Sequence, residues 1–207
     1  MTTQTGANTH VIAIDGNFDD AQTDVKRMFN DVDLREKLLA HHTQFSSANS
    51  MNVGRLVPQV DYYVYAYARL LANEEIAGGE QINVVVPTGN FGNILAGYYA
   101  KHMGVPVNKL ICASNANNVL TDFIKTGIYD RNRPFHTTIS PSMDILISSN
   151  LERLLYHLSG SDDAQIREWF GSLSKTGRYE VTDEVKKAIA DEFYAGCCDD
   201  EQTKACI

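Results

Sequence analysis

Residues 84–93, VVVPTGNFGN, restrict the fold more than any other stretch of this chain. An apolar run passes straight into a turn with two glycines and two asparagines, and the chain resumes as ILAGYYAKHMG with apolar residues at helical spacing. INVVVP reads as a strand buried on both faces of a parallel sheet. The helix closes at Gly104, and Leu110 to Ala113 supply the next strand. Strand, turn, helix and strand make a βαβ unit, so an α/β fold with a mainly parallel sheet is predicted.

The turn itself suits a ligand. A helix N-terminus leaves about four backbone N–H groups unpaired and carries partial positive charge, which favours an anion. Gly89 and Gly92 are expected at positive φ, bringing the backbone close to the ligand. Asn90 and Asn93 add side-chain donors. Thr88 adds a hydroxyl at the carboxyl end of the strand, where open α/β sheets bind ligands. The turn is neither GxGxxG nor a Walker loop and contains no lysine, so neutral backbone donors would seat a small phosphate monoester. A plain tight turn is the other reading of these residues.

Upstream, HVIAI (10–14) predicts a short strand, followed by a helix capped at Asp19 or Asp20 and a second helix ending near His42. RLVPQVDYYVYAYARLLANEE predicts a helix with Pro58 in its first turn. That helix should pack on a sheet, with the hydroxyls of Tyr62, Tyr63, Tyr65 and Tyr67 reaching outward. Downstream, a helix closes at Gly127, and Arg131 and Arg133 read as solvated loop charges. A short strand belongs to that loop. SSNLERLLYHLSG is a helix capped at Ser149 or Asn150, and two more helices span about 163–174 and 182–194. The tail GCCDDEQTKACI shows no closing element.

Charge and cysteine usage remove several functions. A net charge of −8 opposes binding to a phosphate backbone, and no apolar run approaches the roughly 18 residues of a membrane span. The four cysteines form no CxxC pair, which argues for reduced thiols rather than zinc or a disulfide framework. No metal site and a cytoplasmic location are therefore expected.

PTGNFGNILAGYYAKHMG resembles the phosphate loop of the threonine synthases, and IDGNFDDAQ, SSANSMNVGRLVPQ, LICASNANNVLTDF and SPSMDILISSNLERLLY point to the same family in the family's order. The resemblance implies the fold-type-II architecture of pyridoxal-phosphate enzymes, with three αβα layers. Residues 1–80 would belong to the smaller mobile lobe and 81–207 to the larger. It implies pyridoxal 5′-phosphate as cofactor, its phosphate cradled by Thr88, Gly89, Asn90, Phe91, Gly92 and Asn93. It implies O-phosphohomoserine as substrate, converted with water to threonine and phosphate, and no obligate protein partner. Asn49, Ser50, Asn52 and Arg55 crowd the start of a helix. They either bind the substrate's phosphate or carboxylate, with Arg55 gripping bidentately, or cap the helix beside a surface arginine. Ser140, Ser142 and Asp144 either line the cleft or serve turn chemistry.

The family's Schiff-base lysine stands in a Ser-Phe-Lys-Asp type motif, which this chain lacks. Lys175, in LSKTGRY, sits too late and between two helices, so no catalytic residue is expected here. The resemblance thus implies the central part of such an enzyme, truncated at both ends and inactive alone. A phospho-lyase relative and a non-catalytic phosphate-binding paralogue are the alternatives.

Overall fold

The computed structural model describes residues 6–16, 18–47 and 52–207. Contacts divide the chain after Ser47 into two units. The first carries α1 (Phe18–Asn30) and α2 (Val32–Ala40), the second helix capped by Asp31, whose carboxylate accepts from Leu34 N at 2.9 Å. The strand expected at 10–14 does not form: those residues join no ladder, and Ile12 is 84% exposed. An apolar run becomes a strand only where a neighbour takes its backbone groups, and among the described residues none does. Helix α1 starts at Phe18, ahead of both aspartates expected to cap it.

The second unit runs α3 (Val53–Ala72), β1 (Ile82–Pro87), α4 (Gly92–His102), β2 (Val107–Ser114), α5 (Val119–Thr126) and β3 (Ile128–Asp130). A 3-10 turn at Pro141–Met143 follows, then α6 (Leu151–Leu158), α7 (Asp163–Thr176), β4 (Arg178–Glu180), α8 (Asp183–Glu192), β5 (Phe193–Cys197) and α9 (Asp200–Cys206). The predicted βαβ unit is present as β1–α4–β2, and a parallel sheet of order β1-β2-β5 is built on it. The short strand β3 pairs antiparallel with β4. Val86, Leu110, Cys112, Phe193 and Ala195 are buried in one core with residues of α4, α5 and α8. Residue 80 lies inside this unit, and α3 belongs with it through its packing on α4.

Several local expectations change once the packing is known. Burial of β1 holds on one face only: Val86 is buried, whereas Val85 and, in the same row, Tyr194 are 61% and 62% exposed. β1 is an edge strand, and α4, α5 and α8 take the row of Leu110 and Cys112. Helix α3 packs on α4, not on the sheet, and two of its hydroxyls point inward. Tyr63 OH reaches Asn93, and Tyr67 OH donates to Glu80 O at 3.0 Å, while Tyr62 and Tyr65 are exposed. Pro58 lies inside α3 because the helix starts earlier, at Asn52. Arg133 is pinned, not solvated, with Nη1 donating to Asn118 Oδ1 and Asp122 Oδ2 at 2.8 Å each. The tail does close: β5 extends the sheet, and α9 follows behind an Asp199–Gln202 capping box.

Burial pushes the Cys112 thiol up to about 11, opposed in part by the nearby hydroxyls of Thr88 and Ser114. The folded chain therefore keeps this proton where the unfolded chain has lost it. Stability should be fully present below the ordinary thiol pKa and fall as pH rises from about 9 to 11, by roughly 2–3 kcal/mol. Urea titrations at pH 7 and pH 10.5 measure the fall. It should be smaller in Cys112→Ala, and an equal loss in both proteins would reject this assignment.

Candidate functional site

The turn between β1 and α4 is anchored at its first residue. Thr88 N donates to Ala113 O at 2.8 Å, and Thr88 Oγ1 gives its proton to Val86 O at 2.6 Å. The left-handed conformation expected of the glycines falls instead on Phe91, the N-cap of α4, at φ 62° and ψ 5°. Neither Gly89 nor Gly92 takes positive φ. A left-handed residue with a Cβ costs roughly 1–2 kcal/mol, and the Phe91 ring offsets this by complete burial, 5.7 Å from the Phe193 ring. Gly89 is required for a different reason: a Cβ there would lie 2.7 Å from the backbone oxygen of Ser142.

The carbonyls of the turn are bonded from behind. Ser148 Oγ donates to Gly89 O at 3.2 Å, while Asn150 donates twice to Asn90 O, from N at 3.1 Å and from Nδ2 at 2.9 Å. Asn150 stands at the N-cap of α6 as expected, yet its side chain makes no cap bond and serves the neighbouring turn instead. Tyr63 OH lies 2.8 Å from both Asn93 O and Asn93 Oδ1, and Asn93 Nδ2 donates to Gln59 Oε1 at 3.1 Å. The Asn93 side chain thus braces α3 against α4. Burial pushes the Tyr63 hydroxyl far above its ordinary pKa, which keeps this donor protonated.

The N–H groups of the turn lie at the start of α4. Phe91 makes no side-chain cap bond, and the amides of a helix's first turn have no intrahelical acceptor. A cavity of about 400 Å³ lies there, lined by the turn from Pro87 to Ile94 with Arg55, Gln59 and Ser142. Asn90 Oδ1 is buried in that wall without a hydrogen-bond partner. A half-turn of the amide would present its NH₂ group at the same place. Unpaired helix-end amides, an adjustable amide and one guanidinium make a cradle for an oxyanion. A second cavity of about 390 Å³ meets the first at Pro87 and runs past the carboxyl ends of the strands, along Ala113, Ser114, Gly196 and Cys197.

Of the four residues expected near substrate, Arg55 lines the turn's cavity, from α3. Asn52 caps α3, its Oδ1 accepting from Gly54 N at 2.9 Å, and Asn49 and Ser50 lie outside the described residues. Ser142 lines the first cavity and Ser140 the second. Asp144 lines neither. It is buried and accepts from Asn115 Nδ2 (2.7 Å), Asn117 Nδ2 (3.1 Å) and Thr138 N (3.0 Å), fastening its loop to the segment after β2. Lys175 is exposed in the last turn of α7, outside both cavities. Sequence reasoning missed Tyr63, Gln59, Ser148 and Asn150 as holders of the turn. Its only signal for Asn150 was helix-cap chemistry.

No protein-family model matches the chain, and no described helix is long and apolar enough to cross a membrane. Similar proteins are nonetheless found along nearly all of it. Threonine synthase-like 1 of Homo sapiens is 45% identical over 202 residues, covering 97% of this chain and 27% of that protein. Threonine synthase of Saccharomyces cerevisiae is 36% identical over 216 residues, covering all of this chain and 40% of that protein. Among solved structures, a PLP-bound threonine synthase from Brucella melitensis superposes with a TM-score of 0.81 at 42% identity, over 96% of this chain and 40% of its own. The chain thus spans about 40% of the length of the threonine synthases it matches.

Proposed function

We propose that this chain, a homologue of the threonine synthases along nearly its whole length, is the cofactor-phosphate-binding part of a pyridoxal-phosphate-dependent lyase. Its reaction converts O-phosphohomoserine and water to threonine and phosphate. The observation that carries the reading is the turn at Thr88–Asn93: carbonyls tied from behind, amides and Asn90 facing a cavity that Arg55 also enters. Backbone N–H groups at Gly89 to Asn93 would hold the cofactor phosphate. The adjoining cavity beyond Pro87, at the strand ends, is the room for its ring. The bound cofactor supplies an electron sink for carbanion chemistry at the substrate.

What the chain's own residues do is bind and orient. The first-turn amides offset the phosphate charge and have no proton of their own to lose. Arg55, from α3, is the residue for a substrate phosphate or carboxylate, and Asn49 and Ser50 are proposed beside it. Residues 1–80 are proposed for the smaller lobe and 81–207 for the larger, in a soluble cytoplasmic protein. No Ser-Phe-Lys-Asp type motif occurs in the sequence, and Lys175 is remote from the cradle. This chain alone is therefore inactive, and turnover requires a polypeptide that supplies the cofactor-linking lysine.

A second reading is a phospho-lyase relative that eliminates phosphate without making threonine. Phosphate release from O-phosphohomoserine, with added pyridoxal phosphate and product analysis, separates the two. The test uses this chain and the complete protein of its gene. We expect release and threonine from the complete protein and neither from the chain. A keto acid product would select the second reading. Release by the chain itself would overturn the argument from the missing lysine.

A further inference from the structure

A larger cavity, about 510 Å³, lies between α4, α6 and α7. Tyr99 of α4, Arg153, Tyr156 and His157 of α6, and Ile166 and Arg167 of α7 line it. Its donors converge. Tyr99 OH lies 3.2 Å from His157 Nε2, and their rings meet edge to face at 5.4 Å. The Arg153 guanidinium is close enough to Tyr99 to offset part of the burial that pushes its hydroxyl up. Two carboxylates also line it: Asp163 is paired with Arg167, and Glu152 comes from α6 beside Arg153.

Arg153 also connects this cavity to the phosphate turn. Its Nη1 donates to Asn150 Oδ1 at 2.8 Å, and the same Asn150 amide donates through Nδ2 to Asn90 O at 2.9 Å. We propose that the cavity is a second ligand site, for a small organic carboxylate with an apolar body, and that its occupancy is coupled to the phosphate turn through Arg153 and Asn150. A planar carboxylate matches the guanidinium fork, and the two tyrosines and Ile166 cover the body of the molecule. A ligand that redirects Arg153 changes the hold of Asn150 on the Asn90 carbonyl. The coupling rests on the phosphate-turn reading, whereas the cavity's own occupancy does not.

The probe is benzoate, with benzamide as its uncharged counterpart, followed by NMR at the Tyr99 and His157 rings in the full chain without cofactor. We expect saturation by benzoate with a dissociation constant of about 1 mM or below, and binding of benzamide at least about tenfold weaker. Arg153→Gln keeps a donor for Asn150 but removes the charge, so it should erase the preference for benzoate. Saturating benzoate should then change the affinity for pyridoxal 5′-phosphate by about fivefold or more, and pyridoxal 5′-phosphate should change that for benzoate equally. Equal binding of the two probes, shifts located away from Tyr99 and His157, or a preference that survives Arg153→Gln would overturn the site. Benzoate binding with unchanged cofactor affinity would overturn the coupling. Failure of the chain to bind the cofactor at all would instead count against the phosphate turn, and leave the benzoate result standing on its own.

Discussion

Gly89→Val should lower the affinity for pyridoxal 5′-phosphate by about ten- to a hundredfold while leaving the rest of the fold intact. The Cβ alone would lie 2.7 Å from Ser142 O, and that atom is backbone in a 3-10 turn, so it cannot rotate away. Relief requires displacing either the Pro141–Met143 turn or the Gly89 carbonyl, which Ser148 holds. Overpacking of this kind costs about 1–3 kcal/mol, and each 1.4 kcal/mol spent on distorting the cradle removes about a factor of ten in binding. Because the strain falls on the turn and not on the core, the circular dichroism spectrum should be unchanged, and stability in urea should fall by no more than about 1–3 kcal/mol. The check is a fluorescence titration with the cofactor in both proteins. Unchanged affinity in Gly89→Val would show that the phosphate does not sit on this turn.

Gly97→Val should destabilise the fold itself, by about 3 kcal/mol. Gly97 is buried in α4 where α3 crosses it, and a Cβ would stand 2.7 and 2.8 Å from two ring carbons of Tyr63 and 2.9 Å from Leu110 Cδ2. Tyr63 cannot yield freely, because its hydroxyl is engaged by Asn93, and Leu110 lies in the middle of the sheet, fully buried. The added methyl groups deepen both collisions. A contrasting substitution has the opposite sign. Gly171, inside α7, has nothing within 4 Å of its would-be Cβ, so Gly171→Ala should stabilise by about 0.5–1 kcal/mol. Urea denaturation of the three proteins measures both effects. An unchanged urea midpoint in Gly97→Val would mean that the close approach of α3 and α4 is wrong.

The turn between β1 and α4 was legible because its determinants are local. An apolar strand, a glycine-rich turn and a helix occur consecutively, and their chemistry does not depend on the rest of the chain. What the sequence concealed is non-local. Asn150 reads as an ordinary helix cap, and only the packing of α6 beside the turn diverts its amide to Asn90. The left-handed residue was assigned to glycine on steric grounds, but a buried ring at Phe91 bears that conformation and leaves Gly89 to meet Ser142. The helix expected to run to Tyr194 stops at Glu192, and FYAGC becomes β5 because β2 offers it an edge. HVIAI shows the converse: a good strand composition with no edge to join among the described residues. The burial of Asp144 was likewise unreadable, since two of its donors, Asn115 and Asn117, come from the segment after β2, far away in the sequence.

The central claim is that the α4 N-terminus binds a phosphate monoester, and the most direct measurement compares pyridoxal 5′-phosphate with pyridoxal. The two ligands differ only in the group the turn is proposed to hold. Equilibrium dialysis of this chain against each should show saturable binding of the phosphorylated form, weakened by Gly89→Val and by competing inorganic phosphate, and little binding of pyridoxal. Equal binding of the two, or binding indifferent to inorganic phosphate, would contradict the account.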